Sequence, residues 1–234
     1  MALMLTLGIE TSGRTGAVAL CRDGACLEER QLPQIGRRHA QTLVAEIDHL
    51  FQKFGMQPRD CCNVAVSIGP GSFTGLRVGV VFAKTFAYAT RCRLAAVDTF
   101  QSIAANSPAE VADVFVVGDA QRSELYAGRY RRESNGTFVR DGEITIVDGE
   151  KWCGERTADD VLSGPGIEKF EQRLSGCCRV LKPQQRLSQA AVIARLGEAR
   201  IRSGNFDEFW KLEPFYLRKS AAEEKWNAAN QTPG

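Results

Sequence analysis

The 234-residue sequence predicts an α/β fold made of two related lobes. Three observations predict it: short apolar segments of strand length, helices that follow them, and one order of elements that recurs in both halves. The order is three strands with a hairpin, a helix, a strand, Gly-Pro-Gly and a second helix. In the second half the helix after the third strand is short or missing. We therefore expect a mixed sheet flanked by helices in each lobe.

In the first half, apolar segments separated by turn residues predict five strands. They cover residues 3–9, 16–21, 26–32, 64–68 and 94–97. Asp23-Gly24 is a strong two-residue hairpin signal between the second and third strands. Helices are predicted over 39–54, where apolar residues recur at helical spacing, from residue 72 or 74 to Thr90, and from Asp98 or Thr99 to residue 106.

The second half repeats this pattern in weaker form. Its predicted strands cover residues 114–118, 125–131, 138–147 and 161–163. A second Gly-Pro-Gly, at 164–166, opens a helix to about residue 174, and a last helix is predicted over 188–203. The repeat divides the chain into an N-terminal lobe (1–108), a smaller C-terminal lobe (109–218) and a polar tail (219–234).

The composition excludes several classes of function. Thirty Lys and Arg against 28 Asp and Glu give a formal net charge of +2, which is not the basic excess of a general nucleic-acid binder. No apolar run reaches the ~18 residues of a membrane span, and the N-terminus lacks the basic region of a signal peptide. We expect a cytoplasmic protein whose eight cysteines are mostly reduced.

The sequence offers no metal-dependent or nucleophilic catalytic set. The two histidines, His39 and His49, are ten residues apart and do not share one face of a helix. No H-x-x-x-H or H-E-x-x-H is present, and no Ser-His-Asp set follows from the spacing. We therefore expect no metal site and no protease activity.

A glycine-rich segment, GPGSFTGLRVG, covers residues 69–79. Gly69 and Gly71 permit positive φ and a close approach of the backbone, and the following helix N-terminus offers free N–H groups. The spacing matches neither the Walker A motif nor G-x-G-x-x-G. A phosphate site and a tight structural turn are both compatible with these residues.

The helix after this segment is apolar on almost every side. Between Leu76 and Ala89 only Arg77 and Lys84 are charged. Such a helix is buried on more than one side. One side faces the sheet, and the other faces either the helix over 39–54 or a partner protein.

Acidic residues end the first strand of each half. Glu10-Thr11-Ser12 and Asp119 occupy matching places. In a cleft between duplicated lobes, such residues hold metal and phosphates, whereas in most proteins acids and hydroxyls at these places simply cap turns. Both interpretations stay open at the level of the sequence.

Taken together, these motifs resemble the TsaB (YeaZ) family, the non-catalytic subunit of the bacterial tRNA threonylcarbamoyladenosine machinery. The resemblance is carried by GIETS (8–12), RHAQ (38–41), GPGSFTGLRVG (69–79), DAQRSELY (119–126) and PFYLR (214–218). It implies the actin-like ATPase (sugar kinase/Hsp70/actin) fold. It also implies pairing with a TsaD-type catalytic paralogue, docking of a TsaE-type small ATPase on that pair, a homodimer when alone, and contact with tRNA only through the complex.

The resemblance also implies site residues. The first two helices form the pairing surface of the family, which places a partner interface at His39, Leu43, Ile47, Leu50, Arg77, Val78, Val81, Lys84, Thr85 and Tyr88. Weak ATP or ADP binding in the cleft would involve Glu10, Thr11, Ser12, Gly69, Gly71 and Asp119. The DAQRSELY segment departs from the family, where two arginines are commonly followed by Gly, and this departure argues against the nucleotide site.

Two hypotheses follow from the sequence. In the first, the chain is a scaffold that activates a threonylcarbamoyltransferase by heterodimerisation. In the second, it is an actin-like, kinase-type enzyme that uses ATP in the cleft between the lobes. The two-histidine metal motif of the catalytic paralogue has no equivalent here, which favours the scaffold.

Overall fold

The computed structural model describes residues 4–33 and 39–218, with only the backbone described for 39–41. The predicted tail over 219–234 lies outside these residues, as does Arg38 of the RHAQ motif. Within them the chain forms two five-stranded sheets flanked by helices, which confirms the predicted α/β fold with two related lobes.

The first sheet is built from the first half of the chain. Its strands are β1 (Leu5–Glu10), β2 (Ala17–Arg22), β3 (Ala25–Gln31), β4 (Asn63–Ser67) and β5 (Arg93–Val97). Their order is β3-β2-β1-β4-β5. The two hairpin pairs are antiparallel, whereas β1, β4 and β5 run parallel to one another.

The second sheet has the same topology. Its strands are β6 (Asp113–Gln121), β7 (Glu124–Arg132), β8 (Phe138–Asp148), β9 (Val161–Ser163) and β10 (Arg179–Val180). Their order is β10-β9-β6-β7-β8. As in the first sheet, the two hairpin pairs β6–β7 and β7–β8 are antiparallel, whereas β6, β9 and β10 run parallel to one another. The duplication is therefore preserved in the strand topology. The two-residue strand β10 is too short to give a sequence signal.

The described residues form six α-helices. They are α1 (His39–Lys53), α2 (Phe73–Thr90), α3 (Thr99–Ala104), α4 (Gly149–Gly154), α5 (Glu171–Leu174) and α6 (Ala190–Arg202). The six-residue α4 stands where the repeat has the fifteen-residue α1, as expected. The helix predicted to follow the second Gly-Pro-Gly is instead a 3-10 turn over Pro165–Phe170 followed by the single turn of α5.

The two faces of the first sheet carry different helices. Leu7, Ile9, Val64 and Val66 pack in one core with buried residues of α1 and α2. On the opposite face α6 approaches the sheet closely, because Gly197 lies where an added Cβ would be 2.3 Å from the Cβ of Ala65. This arrangement leaves the outer surface of α2 facing away from the sheet.

A division of the chain at residue 108 does not separate the two packing units, and the predicted boundary is corrected accordingly. Phe100 and Ile103 of α3 belong to the core of the second lobe, with Val114 and Tyr130. Helix α6 packs on β1, β2, β4 and β5 of the first lobe. The reason is shape and polarity: large apolar side chains on α3 fill the second core, whereas the small residues of α6 fit the first sheet.

Candidate functional site

The glycine-rich segment forms a tight connection between β4 and α2. Gly69 has a φ of 118°, and its peptide bond to Pro70 is cis. The N–H of Ser72 donates to the carbonyl of Ser12 at 2.7 Å, and the Ser72 hydroxyl caps α2 by accepting from the N–H of Gly75 at 3.3 Å. An added Cβ on Gly71 would lie 2.6 Å from the Ser12 carbonyl oxygen. Gly71 is therefore required for the contact with the loop after β1.

Two further glycines of the motif lie under the same loop. An added Cβ on Gly75 would be 2.0 Å from the carbonyl oxygen of Thr11, and one on Gly79 would be 2.2 Å from the Thr11 hydroxyl oxygen. Gly75 and Gly79 are four residues apart in α2, so they lie on one side of the helix. The motif is explained by close packing of α2 against this loop, as the structural interpretation of the sequence expects.

Glu10 is the last residue of β1, and it is buried. Its Oε1 accepts hydrogen bonds from the Ser12 N–H and hydroxyl, each at 2.5 Å, and its Oε2 accepts from the hydroxyl of Ser188. The Ser188 hydroxyl also contacts that of Ser102 at 2.5 Å. Burial raises the pKa of Glu10, and these donors oppose the rise. Both carboxylate oxygens are thus engaged within the chain.

Asp119 holds the matching position in the second lobe. Its Oδ1 accepts from Lys169 Nζ at 2.7 Å and from the Gln121 N–H at 2.8 Å. Partial burial acts to raise the pKa of Asp119, but these two hydrogen bonds outweigh it and hold the pKa below the ordinary 3.8. The charge of Arg14, in the loop after β1, also acts on this carboxylate. The loop after β1 therefore lies near enough to Asp119 for the charge of Arg14 to act on this carboxylate.

The departure at DAQRSELY lies in the turn between β6 and β7. Gln121, Arg122 and Ser123 all have positive φ, between 50° and 66°. Ser123 occupies the place where the resemblance leads us to expect glycine. An L-residue is strained in this conformation, whereas glycine is not.

The outward face of α2 carries large apolar side chains that are exposed. Val81 is 62% exposed and Tyr88 is 65% exposed, and Thr85 lies one turn from each of them on the same face. Arg77 is also exposed, while Val78 is half-buried against the first core. Four residues predicted for the interface on this helix are therefore exposed, namely Arg77, Val81, Thr85 and Tyr88, whereas Val78 is not.

The second side of α2 is covered in part by the chain's own C-terminal segment. We call residues 207–212 the aromatic strap. Lys84 Nζ donates to the carbonyl oxygens of Leu212, at 3.0 Å, and Trp210, at 3.5 Å. The predicted interface residue Lys84 therefore holds the strap against the helix.

The aromatic strap extends the apolar face of α2. The ring of Tyr88 lies 5.7 Å from that of Phe209 and 5.9 Å from that of Trp210, and the last two rings are 4.7 Å apart. Trp210 is 74% exposed. A groove of about 310 Å³ lies among these side chains, lined by Val81, Lys84, Thr85, Tyr88, Phe209 and Trp210. Phe209 and Trp210 are not among the residues predicted for this surface from the sequence.

Three of the residues predicted for the interface on α1 do not lie on a surface. Leu43, Ile47 and Leu50 are buried in the first core. Their helical spacing identifies the core-facing side of α1, so this part of the prediction is corrected. Val44 is the exposed large apolar residue of this helix, and its place one position after Leu43 was the available signal. The side chain of His39 lies outside the described residues.

The PFYLR motif ties α2 to the second lobe. Arg77 Nε donates to the Tyr216 hydroxyl at 3.1 Å, and its guanidinium carbon lies 4.0 Å from the centre of the Phe73 ring. The Phe215 N–H donates to the carbonyl of Ile68 at 2.8 Å. Arg218 reaches the Ala120 carbonyl at 2.7 Å. The motif thus fixes the start of α2 relative to the β6–β7 turn.

Over residues 4–33 and 39–218, no group of three or more His, Cys, Asp or Glu is arranged to hold a metal ion. None of the described helices is both long enough and apolar enough to cross a membrane.

Sequence comparison places the chain among proteins of one tRNA-modification pathway. The family model of TsaD, tRNA N6-adenosine threonylcarbamoyltransferase, matches residues 29–143. A tRNA threonylcarbamoyladenosine biosynthesis protein TsaB of Bacillus subtilis is 27% identical over 233 residues, which are 95% of this chain and 98% of the relative. TsaB of Escherichia coli is 28% identical over 175 residues, which are 74% of this chain and 68% of the relative.

Structure comparison agrees with the sequence relatives. YeaZ from Pseudomonas aeruginosa superposes with a TM-score of 0.77 at 25% identity, covering 92% of this chain and all of that one. A ROK hexokinase from Thermus thermophilus reaches a TM-score of 0.52 at 11% identity, over 86% of this chain and all of that one, and so shares the fold alone. The duplicated sheets are those of the actin-like ATPase fold. The chain is therefore similar in sequence and structure to TsaB (YeaZ) proteins over nearly its whole length.

Proposed function

We propose that this chain is a non-catalytic subunit that dimerises with and activates a TsaD-type threonylcarbamoyltransferase in the formation of N6-threonylcarbamoyladenosine in tRNA. The observation that carries the proposal is the apolar surface formed by α2 and the aromatic strap. Full-length TsaB relatives named for this biosynthesis support it, and so does the match of half the chain to the model of the transferase itself.

The surface has the composition of a protein–protein contact. Val81, Tyr88 and Trp210 are each more than three-fifths exposed, and they lie side by side. Clusters of exposed apolar side chains mark interaction sites, and Trp and Tyr carry a large share of binding energy at such sites. The strap is held in place by Lys84, so the aromatic rings are ordered before a partner arrives.

The contacts in the cleft support an accessory role. The carboxylates of Glu10 and Asp119 accept hydrogen bonds from Ser12, Ser188 and Lys169 of the same chain. An incoming Mg-nucleotide would have to displace these donors. Nucleotide binding, if present, is thus expected to be weak.

The proposal also covers the oligomers that the chain forms and the compartment in which the complex works. The same α2 surface serves a homodimer when the chain is alone and the heterodimer when the TsaD-type partner is present. A TsaE-type ATPase docks on the heterodimer, tRNA is contacted through the complex, and the complex works in the cytoplasm.

The decisive experiment is co-purification of the chain with the TsaD-type protein of the same organism. Val81→Glu or Tyr88→Glu is expected to abolish the complex, because burying an unpaired charge costs several kcal/mol. Leu187→Glu is the matched control: it makes the same kind of change at a residue that is 53% exposed but lies outside the groove. The control is expected to bind normally.

Activity provides the second measurement. The reconstituted complex should transfer threonylcarbamoyl to tRNA, and the two charged variants should lose this activity together with binding. An intact complex with Val81→Glu would refute the assignment of the surface. Failure of the wild-type chain to bind or stimulate the transferase would refute the proposed function itself.

The kinase-type alternative is separated by calorimetry with Mg-ATP on the isolated chain. The internal hydrogen bonds of Glu10 and Asp119 lead us to expect weak or absent heat of binding. Micromolar affinity accompanied by turnover would favour the enzyme instead.

A further inference from the structure

Cys21 and Cys26 lie opposite each other on the β2–β3 hairpin. They are direct partners in the antiparallel ladder. The Cα atoms of such a pair are about 4.5–5.5 Å apart, which lies within the range of about 4.4–6.8 Å that a disulfide spans. Both residues are free thiols, and they lie near enough for their sulfur atoms to interact. The strand pairing, whose register shifts next to this pair between Leu20 and Cys21, therefore brings the two thiols together across the hairpin.

The turn between the two cysteines is anchored to the rest of the lobe. Asp23 Oδ1 accepts from the Met4 N–H at 3.0 Å and from Arg202 at 3.2 Å. The Gly24 N–H donates to the Glu198 carboxylate of α6 at 3.3 Å. Because the hairpin is held at its tip, the two thiols stay in register and face each other at a high effective concentration.

The two thiols differ in access to solvent. Cys21 is fully buried among the alanines Ala17, Ala19, Ala190 and Ala194 of β2 and α6. Cys26 is exposed. A reagent in solution therefore reaches Cys26 first, and Cys21 meets only what Cys26 carries.

We propose that Cys21 and Cys26 form a dithiol modification site that reacts with low-molecular-mass disulfides such as oxidised glutathione. The Cys26 thiolate attacks one glutathione sulfur, forms a mixed disulfide and releases the first glutathione thiolate. The Cys21 thiolate then attacks the Cys26 sulfur, closes the cross-strand disulfide and releases the second. Two protein thiols are oxidised, one glutathione disulfide is reduced to two glutathione molecules, and the two thiol protons end on them.

The surroundings of the pair set its rate. Burial raises the pKa of Cys21 to about 12, and the charges of Glu198 and Glu29 add to the effect. Burial also raises the pKa of Cys26, which faces Glu28 and Glu29. Since the thiolate is the attacking species, the exchange is slow at neutral pH and accelerates as the pH rises. The site responds to sustained oxidation and not to brief exposure.

The test treats the full chain with oxidised glutathione at mildly alkaline pH, blocks remaining thiols, and maps the peptides by mass spectrometry. The expected product is a peptide pair that joins Cys21 to Cys26 and is two hydrogen atoms lighter than the reduced pair. A dithiol reductant should reverse it. Mapping by peptide keeps this pair distinct from the other exposed thiols, such as Cys177.

Cys21→Ala is the informative variant, because alanine fits the alanine cluster around this position. It is expected to leave Cys26 carrying a stable glutathionyl group. In Cys26→Ala, Cys21 should stay reduced. The proposal is overturned if wild-type Cys26 keeps the glutathionyl group, or if Cys21 is recovered as a free thiol after prolonged oxidation. The wild-type map decides the matter even where a variant fails to fold.

Discussion

Gly79 offers a direct test of why α2 needs its glycines. An alanine Cβ at this position would lie 2.2 Å from the hydroxyl oxygen of Thr11, which is buried and has no hydrogen-bond partner among the described residues. Overpacking lowers stability by about 1–3 kcal/mol, whereas alanine in place of glycine inside a helix raises it by about 1 kcal/mol. Because the χ1 of threonine is stiff, the upper end applies, and Gly79→Ala is expected to destabilise the fold by about 2 kcal/mol.

A second substitution removes the cause of the clash. Thr11→Ala deletes the hydroxyl and the methyl group, and leaves only the residue 11 Cβ at 3.4 Å from the new Cβ. The effect of Thr11→Ala alone on the free energy of unfolding is near zero. Loss of one buried methyl costs about 0.8 kcal/mol, and removal of a buried hydroxyl without a partner gains about 1 kcal/mol. In this background Gly79→Ala should stabilise by about 1 kcal/mol, since only the helix-propensity gain is left. The expected coupling energy is therefore about 3 kcal/mol.

Thermal and urea unfolding of the four proteins measure this cycle. Gly79→Ala alone should lower the Tm by about 4–8 °C for a chain of this size. The double variant should unfold at or above the temperature of Thr11→Ala. A neutral Gly79→Ala, or a double variant as unstable as the two single effects combined, would refute close packing as the reason for the glycine.

Three further predictions concern the turn and the buried acids. Ser123→Gly should raise the free energy of unfolding by about 0.5–1 kcal/mol, measured by thermal unfolding. The left-handed conformation strains an L-residue by roughly 1–2 kcal/mol, and the greater freedom of glycine in the unfolded state cancels part of this gain. A lower Tm would contradict the prediction. Burial raises the pKa of Glu10 above 4.5, so the folded state binds this proton more tightly, and stability should fall as the pH rises from 4.5 through the folded pKa. In urea titrations, Glu10→Gln should reduce this fall in stability with pH. Part of the fall should persist, because burial also raises the pKa of Asp98. An unchanged pH profile would contradict the assignment of the fall to Glu10. Tyr130→Phe removes the hydroxyl that donates to Asp98 at 2.6 Å and should cost about 1–3 kcal/mol at neutral pH and less in acid, as measured by denaturation at both pH values.

Local chemistry was sufficient to predict most of the first sheet. The Asp23-Gly24 turn fixes the β2–β3 hairpin, and Asp98 caps α3 by accepting from the Phe100 N–H at 2.8 Å. These signals depend on neighbouring residues, so they are visible in the sequence. The repeat was visible for the same reason: both Gly-Pro-Gly segments begin with a glycine at positive φ, 118° at Gly69 and 107° at Gly164.

The exposed apolar face of α2 could be predicted, whereas the exposed side of α1 could not. On α2 the absence of charge identified a helix with two covered sides, and Val81 and Tyr88 are exposed as the interface prediction requires. On α1 the same kind of evidence failed, because Leu43 and Ile47 repeat with the period that faces the core. Periodicity shows that a helix has an apolar side, but it does not tell whether that side meets the chain's own sheet or another protein.

The position of the aromatic strap depends on contacts between residues that are far apart in the sequence. Trp210 is more than 120 residues away from Tyr88 along the chain, yet their rings are 5.9 Å apart. The contact exists because Lys84 holds the strap carbonyls and Leu212 is buried in the first core. No local pattern near residue 210 indicates where the strap will lie.

The sequence by itself determined most of the strands, the hairpins, the duplicated order of elements and the resemblance to the TsaB (YeaZ) family, because each depends on residues close together in the chain or on motifs read in order. Tertiary structure decided which helix packs on which sheet, placing α3 with the second core and α6 on the first, because this depends on the fit of side chains from distant segments. It also decided that the glycines of α2 accommodate Thr11 and Ser12, and that Glu10 is engaged by Ser12 and Ser188. Burial and hydrogen bonding are properties of the packed chain, so the role of these residues follows from the fold and not from their type.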